Sequence, residues 1–132
     1  MIQDHGLVTN LPPDWPSWDI YVDIVGFVLD NRVTKLVFVE CKNIPITLSH
    51  LSQLIGYSRV ALPEHAIIVS PYGLSPSLKS LLVTFRRTDV LQYEQERGKF
   101  PKSIVIARWD AQGQCLDASS IISSDINYLG RL

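Results

Sequence analysis

Two apolar runs, Trp18–Leu29 and Val33–Glu40, lie on either side of Asp30-Asn31. No other stretch restricts the fold as much. Asp and Asn tolerate positive φ and close tight turns, so the unit reads as a β-hairpin turning at Asp30-Asn31. Loop length then sets the register. A two-residue turn places Asp23 opposite Phe38 and Glu40 opposite Tyr21, whereas a four-residue loop places Asp23 opposite Glu40. Side chains alternate faces along a strand, so both registers gather Asp23, Glu40 and Lys42 on one face; an odd loop would divide them. Two carboxylates and one ammonium at the end of an apolar hairpin are costly unless something pairs them. Their charges point to a hard divalent cation between the carboxylates, with the lysine beside it.

The hairpin leads into a crossover. Pro45 forbids continuation of a central strand, and Thr47 or Ser49 can cap a helix running to about Ala61. Leu48, Leu51, Leu54, Ile55 and Leu62 form its buried stripe at three-to-four spacing. Gln53 and Tyr57 stand four apart, and His50 precedes Gln53 by three, so the three residues form a row that a packed helix presents toward the charged end of the hairpin. The plainer reading is a polar helix face with a half-buried tyrosine and a surface histidine. His65–Ser70 is a short apolar strand, which makes strand–helix–strand a parallel crossover. Ser75-Pro76 starts a second helix through Leu78, Leu81, Leu82 and Phe85. Lys79, Arg86 and Arg87 near its end suit the helix dipole as well as any phosphate. Val90–Glu94 reads as a further strand, and 103–109 with 115–122 as a hairpin around the glycine-containing loop Asp110–Gln114.

Composition limits the function classes. The 132 residues are 46% hydrophobic and 19% charged, a single domain with a real core rather than a disordered chain. No apolar run is long enough to span a membrane, and the N-terminus lacks a signal-peptide pattern. Two cysteines, Cys41 and Cys115, are too few for a disulfide framework and fit a reduced, cytoplasmic setting. The net charge of −1 lacks the basic footprint usual for avid nucleic-acid binding. The bases are concentrated in the second half, however, and metal at the acidic face would lower repulsion toward phosphate.

Asp23 on one strand, Glu40-Cys41-Lys42 on the next and Gln53-Leu-Ile-Gly-Tyr57 on the following helix together resemble the PD-(D/E)XK nuclease superfamily. The Q-x-x-x-Y helix resembles its RecB-like branch, which includes archaeal Holliday-junction resolvases. The resemblance spans roughly residues 18–70. It implies an α/β fold with a restriction-endonuclease-like core, a central mixed β-sheet flanked by helices. The chain then divides into an irregular arm over 1–17, a core over 18–86 and C-terminal strands over 87–132. Such cores begin with a helix that often bears a glutamate. Residues 1–17 hold three prolines and no glutamate precedes Glu40, so the first core helix is missing or atypical, or a partner chain supplies it. Branch members with an iron–sulfur cluster use four cysteines, which excludes that subtype here.

The same resemblance implies hydrolysis of DNA phosphodiester bonds with Mg²⁺ or Mn²⁺, in repair, restriction or junction processing. Asp23, Glu40 and the Cys41 backbone carbonyl would hold the metal, with Asp19, on the same strand face as Asp23, as the alternative ligand. Lys42 would orient the attacking water and offset charge on the phosphate. Gln53, Tyr57 and His50 would support the site or touch DNA. Cys41 alternates to the opposite face and reads as a packing residue. A homodimer is expected, because cutting both strands needs two sites. Two further readings stand beside this one: an inactive nuclease-fold module that binds nucleic acid or protein, and an α/β domain whose acids and lysine form a structural ion cluster.

Overall fold

The computed structural model describes residues 20–95, 98–99 and 101–124. The arm over 1–17 and the alternative ligand Asp19 lie outside the described residues, as does part of the charged loop before Lys102. Strand β1 (Ile24–Asp30) and strand β2 (Val33–Cys41) form the expected antiparallel hairpin, with Ile24 opposite Val39 and Asp30 opposite Val33. The turn is Asn31-Arg32, one residue later than Asp30-Asn31. Both turn residues are left-handed, at φ 47° and 66°, the backbone of a type I′ turn. Asp30 is needed in the strand: its Oδ2 accepts from Lys35 Nζ at 2.9 Å.

Helix α1 (Leu48–Ala61) is capped by Thr47, whose hydroxyl accepts from His50 N–H while His50 Nδ1 accepts from Thr47 N–H. This is a capping box with histidine in the place usually held by Glu or Gln. Leu51, Leu54 and Ser58 are the buried stripe. Leu48 and Leu62 do not join it, being 52% and 47% exposed. Leu48 is the first helical residue and lies off the stripe, lining a groove against Leu78 and Leu81. Leu62 is the left-handed C-cap, φ 51°, where the chain has already turned away from the core.

Strand β3 (His65–Ser70) runs parallel to β2, with Phe38 beside Ala66 and Glu40 beside Ile68. Helix α2 (Pro76–Lys79) is capped by Ser75 as expected and widens into a π-helical turn over Ser80–Thr84. A 3₁₀ turn, Thr88–Leu91, takes the first half of the expected Val90–Glu94 strand and leaves only β4 (Gln92–Glu94). Strand β5 (Lys102–Asp110) is parallel to β3 on one side. Its other side pairs antiparallel with β4 at its start and with β6 (Cys115–Ile122) at its end. The result is an α/β fold: a mixed six-stranded sheet ordered β1-β2-β3-β5-β4, with β6 also on β5, flanked by a few helices.

The core lies between one face of the sheet and the helices. Phe38, Ala66, Ile68, Ile104 and Ile106 meet Leu51, Leu54, Leu78 and Leu82 there, all close to fully buried. Each large apolar side chain so buried contributes about 1.5–3 kcal/mol. Glu40 continues the Phe38 face by one alternation, which carries a carboxylate to the edge of this core. No helix among the described residues is long and apolar enough to cross a membrane.

Candidate active site

The site lies where β1 begins and β2 ends. Lys42 N–H donates to Val69 O at 2.9 Å, on the β3 side of β2. The amide of Cys41, one residue earlier, therefore points to the β1 side. It falls beyond Ile24↔Val39, the last β1–β2 pair. Asp23 Oδ2 accepts its hydrogen bond at 2.8 Å, so a side-chain carboxylate serves where ladder carbonyls have run out. Asp23 N–H in turn donates to Glu40 Oε2 at 3.3 Å. Extending the hairpin register by one residue sets Asp23 directly opposite Glu40, the arrangement expected for the longer of the two loops but reached here through a two-residue turn.

Lys42, two residues after Glu40 on the same face, donates from Nζ to Glu40 Oε1 at 2.6 Å, a charge-assisted bond. Glu40 is 7% exposed, and it is the one buried Asp, Glu, Lys, Arg or His among the described residues. Asp23 is exposed. The cluster holds two carboxylates against one ammonium, and the carboxylate with least access to water is the one the lysine pairs with.

Cys41 turns away from this face but does not pack: it is exposed, because β2 outruns the strand beside it. Partial burial of the sulfur pushes its thiol above the usual 9.0, and the charges of Asp23 and Glu40 push the same way against Lys42. Strand alternation carries the Cys41 side chain to the face opposite Glu40 and Lys42, so the sulfur does not join the carboxylates. The available donors are thus oxygens, which favour hard cations over zinc. Among the described residues no group of three or more His, Cys, Asp or Glu side chains is gathered to hold a metal. Magnesium commonly binds through only one or two carboxylates, completing its shell with water and phosphate oxygens. Asp23 Oδ1, Glu40 and the Cys41 carbonyl fit that mode.

The helix residues are distributed differently from the expected row. Gln53 Nε2 donates to Tyr57 OH at 3.0 Å, so the pair four apart on α1 is bonded to itself. Tyr57 also packs against the core. Among the described residues neither makes a hydrogen bond to Asp23, Glu40 or Lys42. His50 is committed through Nδ1 to the helix cap, a local structural role.

Sequence reasoning passed over the two loops that leave β2 and β3 beside the cluster. Ser70, fully buried, donates from Oγ to Ile44 O at 2.8 Å and accepts from Tyr72 N–H at 3.0 Å. The available signal was topological: ligands of open α/β sheets gather outside the carboxyl ends of parallel strands, and both loops start there. Compared with known proteins, the chain matches no family model, no curated protein and no solved structure.

Proposed function

We propose that the chain is a metal-dependent DNA nuclease of the PD-(D/E)XK type, with a restriction-endonuclease-like core, acting in the cytoplasm as a homodimer. The observation that carries this reading is the placement of Asp23 opposite a buried Glu40 with Lys42 on the same face, at the carboxyl end of β2. Asp23, Glu40 and the Cys41 carbonyl would hold Mg²⁺ or Mn²⁺. When bound, the metal supplies charge for the scissile phosphate and acidifies a water. Lys42, released from Glu40, would donate to the attacking water and to a phosphate oxygen, holding both in line. Asp23 stays fixed through its Cys41 N–H bond. As a water oxygen bonds to phosphorus, that water gives up a proton to solvent, one P–O ester bond breaks, and the departing alkoxide takes up a proton from solvent.

A second reading is favoured by one observation: among the described residues no third acidic group joins Asp23 and Glu40. In that case the chain is an inactive module of the same fold that binds nucleic acid or a protein, or one whose site a partner chain completes. Cleavage of labelled single-stranded, duplex and branched DNA with Mg²⁺ or Mn²⁺ separates the two. The nuclease reading expects cleavage that Glu40→Gln and Lys42→Ala each reduce at least about a hundredfold. Absence of cleavage by well-folded protein, with DNA affinity that survives Asp23→Ala and Glu40→Ala, overturns it in favour of the binding module.

A further inference from the structure

The register Cys41↔Val69 sets Lys42 beside Ser70. Past this point, β2 and β3 stop being strands, but their loops stay joined. Besides the two Ser70 bonds, Ile46 N–H donates to Gly73 O and Ser75 N–H to Ile46 O, both at 2.8 Å. These two bonds make Ile46 and Leu74 a parallel bridge, and Ile46 is fully buried. Gly73, at φ 68°, supplies the left-handed turn that brings the β3 loop back alongside its neighbour. The two loops thus form one braced ledge projecting from the Glu40–Lys42 end of the sheet.

Beside the exposed Asn43, what the ledge presents is apolar. Ile44 is 55% exposed and Tyr72 62% exposed, with exposed Pro45 and Pro71 next to them in the chain. The Tyr72 hydroxyl has no hydrogen-bond partner among the described residues. Buried backbone bonds and a buried serine fix the backbone that carries the Ile44 and Tyr72 side chains. Two side chains and two prolines are far too small for a stable protein interface, which needs about 800 Å² per partner. They match instead the size of one flat, apolar ligand group. A nucleobase has that shape, and stacks on tyrosine whatever its identity. Lys42 lies two residues before Ile44, so a strand whose phosphate meets Lys42 would bring a neighbouring base over the ledge.

We propose that Ile44 and Tyr72 form a stacking platform for one unpaired base next to the Glu40–Lys42 cluster, so that the chain prefers single-stranded or frayed DNA over fully paired duplex. The inference rests on the nuclease reading and names its substrate class. Bases inside a duplex hide both faces, and only unpaired or terminal bases can take this position. Pre-bracing of the ledge keeps the ordering cost of binding low.

Fluorescence anisotropy with a labelled oligo-dT of about 15 nucleotides and a blunt duplex of equal length, in Ca²⁺ rather than Mg²⁺, tests the platform. Wild type should bind the single strand more tightly. Tyr72→Ala should weaken that binding by about 5- to 100-fold and duplex binding by less than about twofold, while Tyr72→Phe retains it. Melting curves establish that the exposed-site variants fold. Equal affinity of wild type for both DNAs, or equal losses on both in Tyr72→Ala, overturns the platform and leaves the nuclease intact. Failure of wild type to bind either DNA overturns both readings. A concentration-dependent dimer that Tyr72→Ala dissolves would reassign the ledge to a second copy of the chain and also overturn the proposal.

Discussion

The sheet carries a charge cluster at each end, and the two differ in a way that bears on function. Where β2 and β5 begin, Lys35 reaches Asp30 at 2.9 Å and Glu64 at 3.8 Å, while Lys102 reaches Glu64 at 3.4 Å and Glu94 at 3.0 Å. At the opposite end, Lys42 pairs with Glu40, while Asp23 meets Glu40 through its backbone N–H and accepts from Cys41 N–H through its carboxylate. Each cluster has one more carboxylate than ammonium, so surplus charge alone does not distinguish them. Burial does. The side chains of Asp30, Lys35, Lys102 and Glu64 are 30–51% exposed and that of Glu94, at 22%, is held by Lys102 at 3.0 Å, so water and salt screen most of this surplus. The Glu40 side chain is 9% exposed, and among the described residues its charge has only Lys42 and one amide to answer it. Screened carboxylates at one end make a surface network; at the other a buried Glu40, paired with Lys42, lies beside an exposed Asp23, and the proposed nuclease reading would put a cation between those two acids.

The contrast is most easily broken by removing one lysine from each end. Lys42→Ala strands a desolvated carboxylate beside a second one. In chelator it should cost about 2 kcal/mol, somewhat below the range for a fully buried pair because Lys42 itself is 22% exposed. Mn²⁺ should restore much of the lost melting temperature. Lys102→Ala should cost about 0.5 kcal/mol and show no response to Mn²⁺. Equal losses in the two variants, both indifferent to metal, would mean that the ends are alike and that the Asp23–Glu40 cluster is structural.

A smaller effect sharpens the same contrast from the other side. The hairpin tip adjoins the Lys35 cluster, and Arg32 is held there at φ 66°, a conformation that disfavours side chains and suits glycine. Arg32→Gly should therefore stabilise the protein by about 0.5 kcal/mol in chemical denaturation. Its Mn²⁺ response should stay that of wild type. A destabilised Arg32→Gly variant would argue against the type I′ turn and the register that sets Asp23 opposite Glu40.

That register shows how far sequence carries the argument. Strand parity alone gathers Asp23, Glu40 and Lys42, because any even loop does so. It does not locate the turn, since Asp30 can close a turn or end a strand; its bond to Lys35 decides, and that bond exists only once the strands pair. The β3 limits, the Thr47 and Ser75 caps and the β5–β6 hairpin follow from short-range signals and match the fold. The errors lie where tertiary packing overrides spacing: Leu48 and Leu62 have helical periodicity but lie at helix ends, and Leu91 is buried in a 3₁₀ turn rather than a strand. His50 was legible as a helix residue and not as a cap, since the capping box usually calls for Glu or Gln. The braced ledge was illegible because its hydrogen bonds join two loops 26 residues apart.

The smallest predicted effect uses Cys41 as a reporter of the site. Its thiol is raised first by burial and then by the two carboxylates, with Lys42 opposing. The folded protein therefore holds the Cys41 proton more tightly than the unfolded chain does. The resulting stability is fully present below the ordinary thiol value of 9.0 and is lost as pH climbs through the raised one. In a Cys115→Ser background, the alkylation rate of Cys41 should accordingly reach half its maximum above pH 9.0. Asp23→Asn should move that midpoint down only partway, because burial is the larger cause. A divalent ion between Asp23 and Glu40 would cancel the same carboxylate charge without unburying the sulfur. Mn²⁺ should therefore speed alkylation of the wild-type site at fixed pH and leave Glu40→Gln unaffected. The charge-matched cluster at the other end of the sheet lies too far along β2 to produce this response. An Mn²⁺ effect that survives Glu40→Gln would place the ion somewhere other than the buried acid.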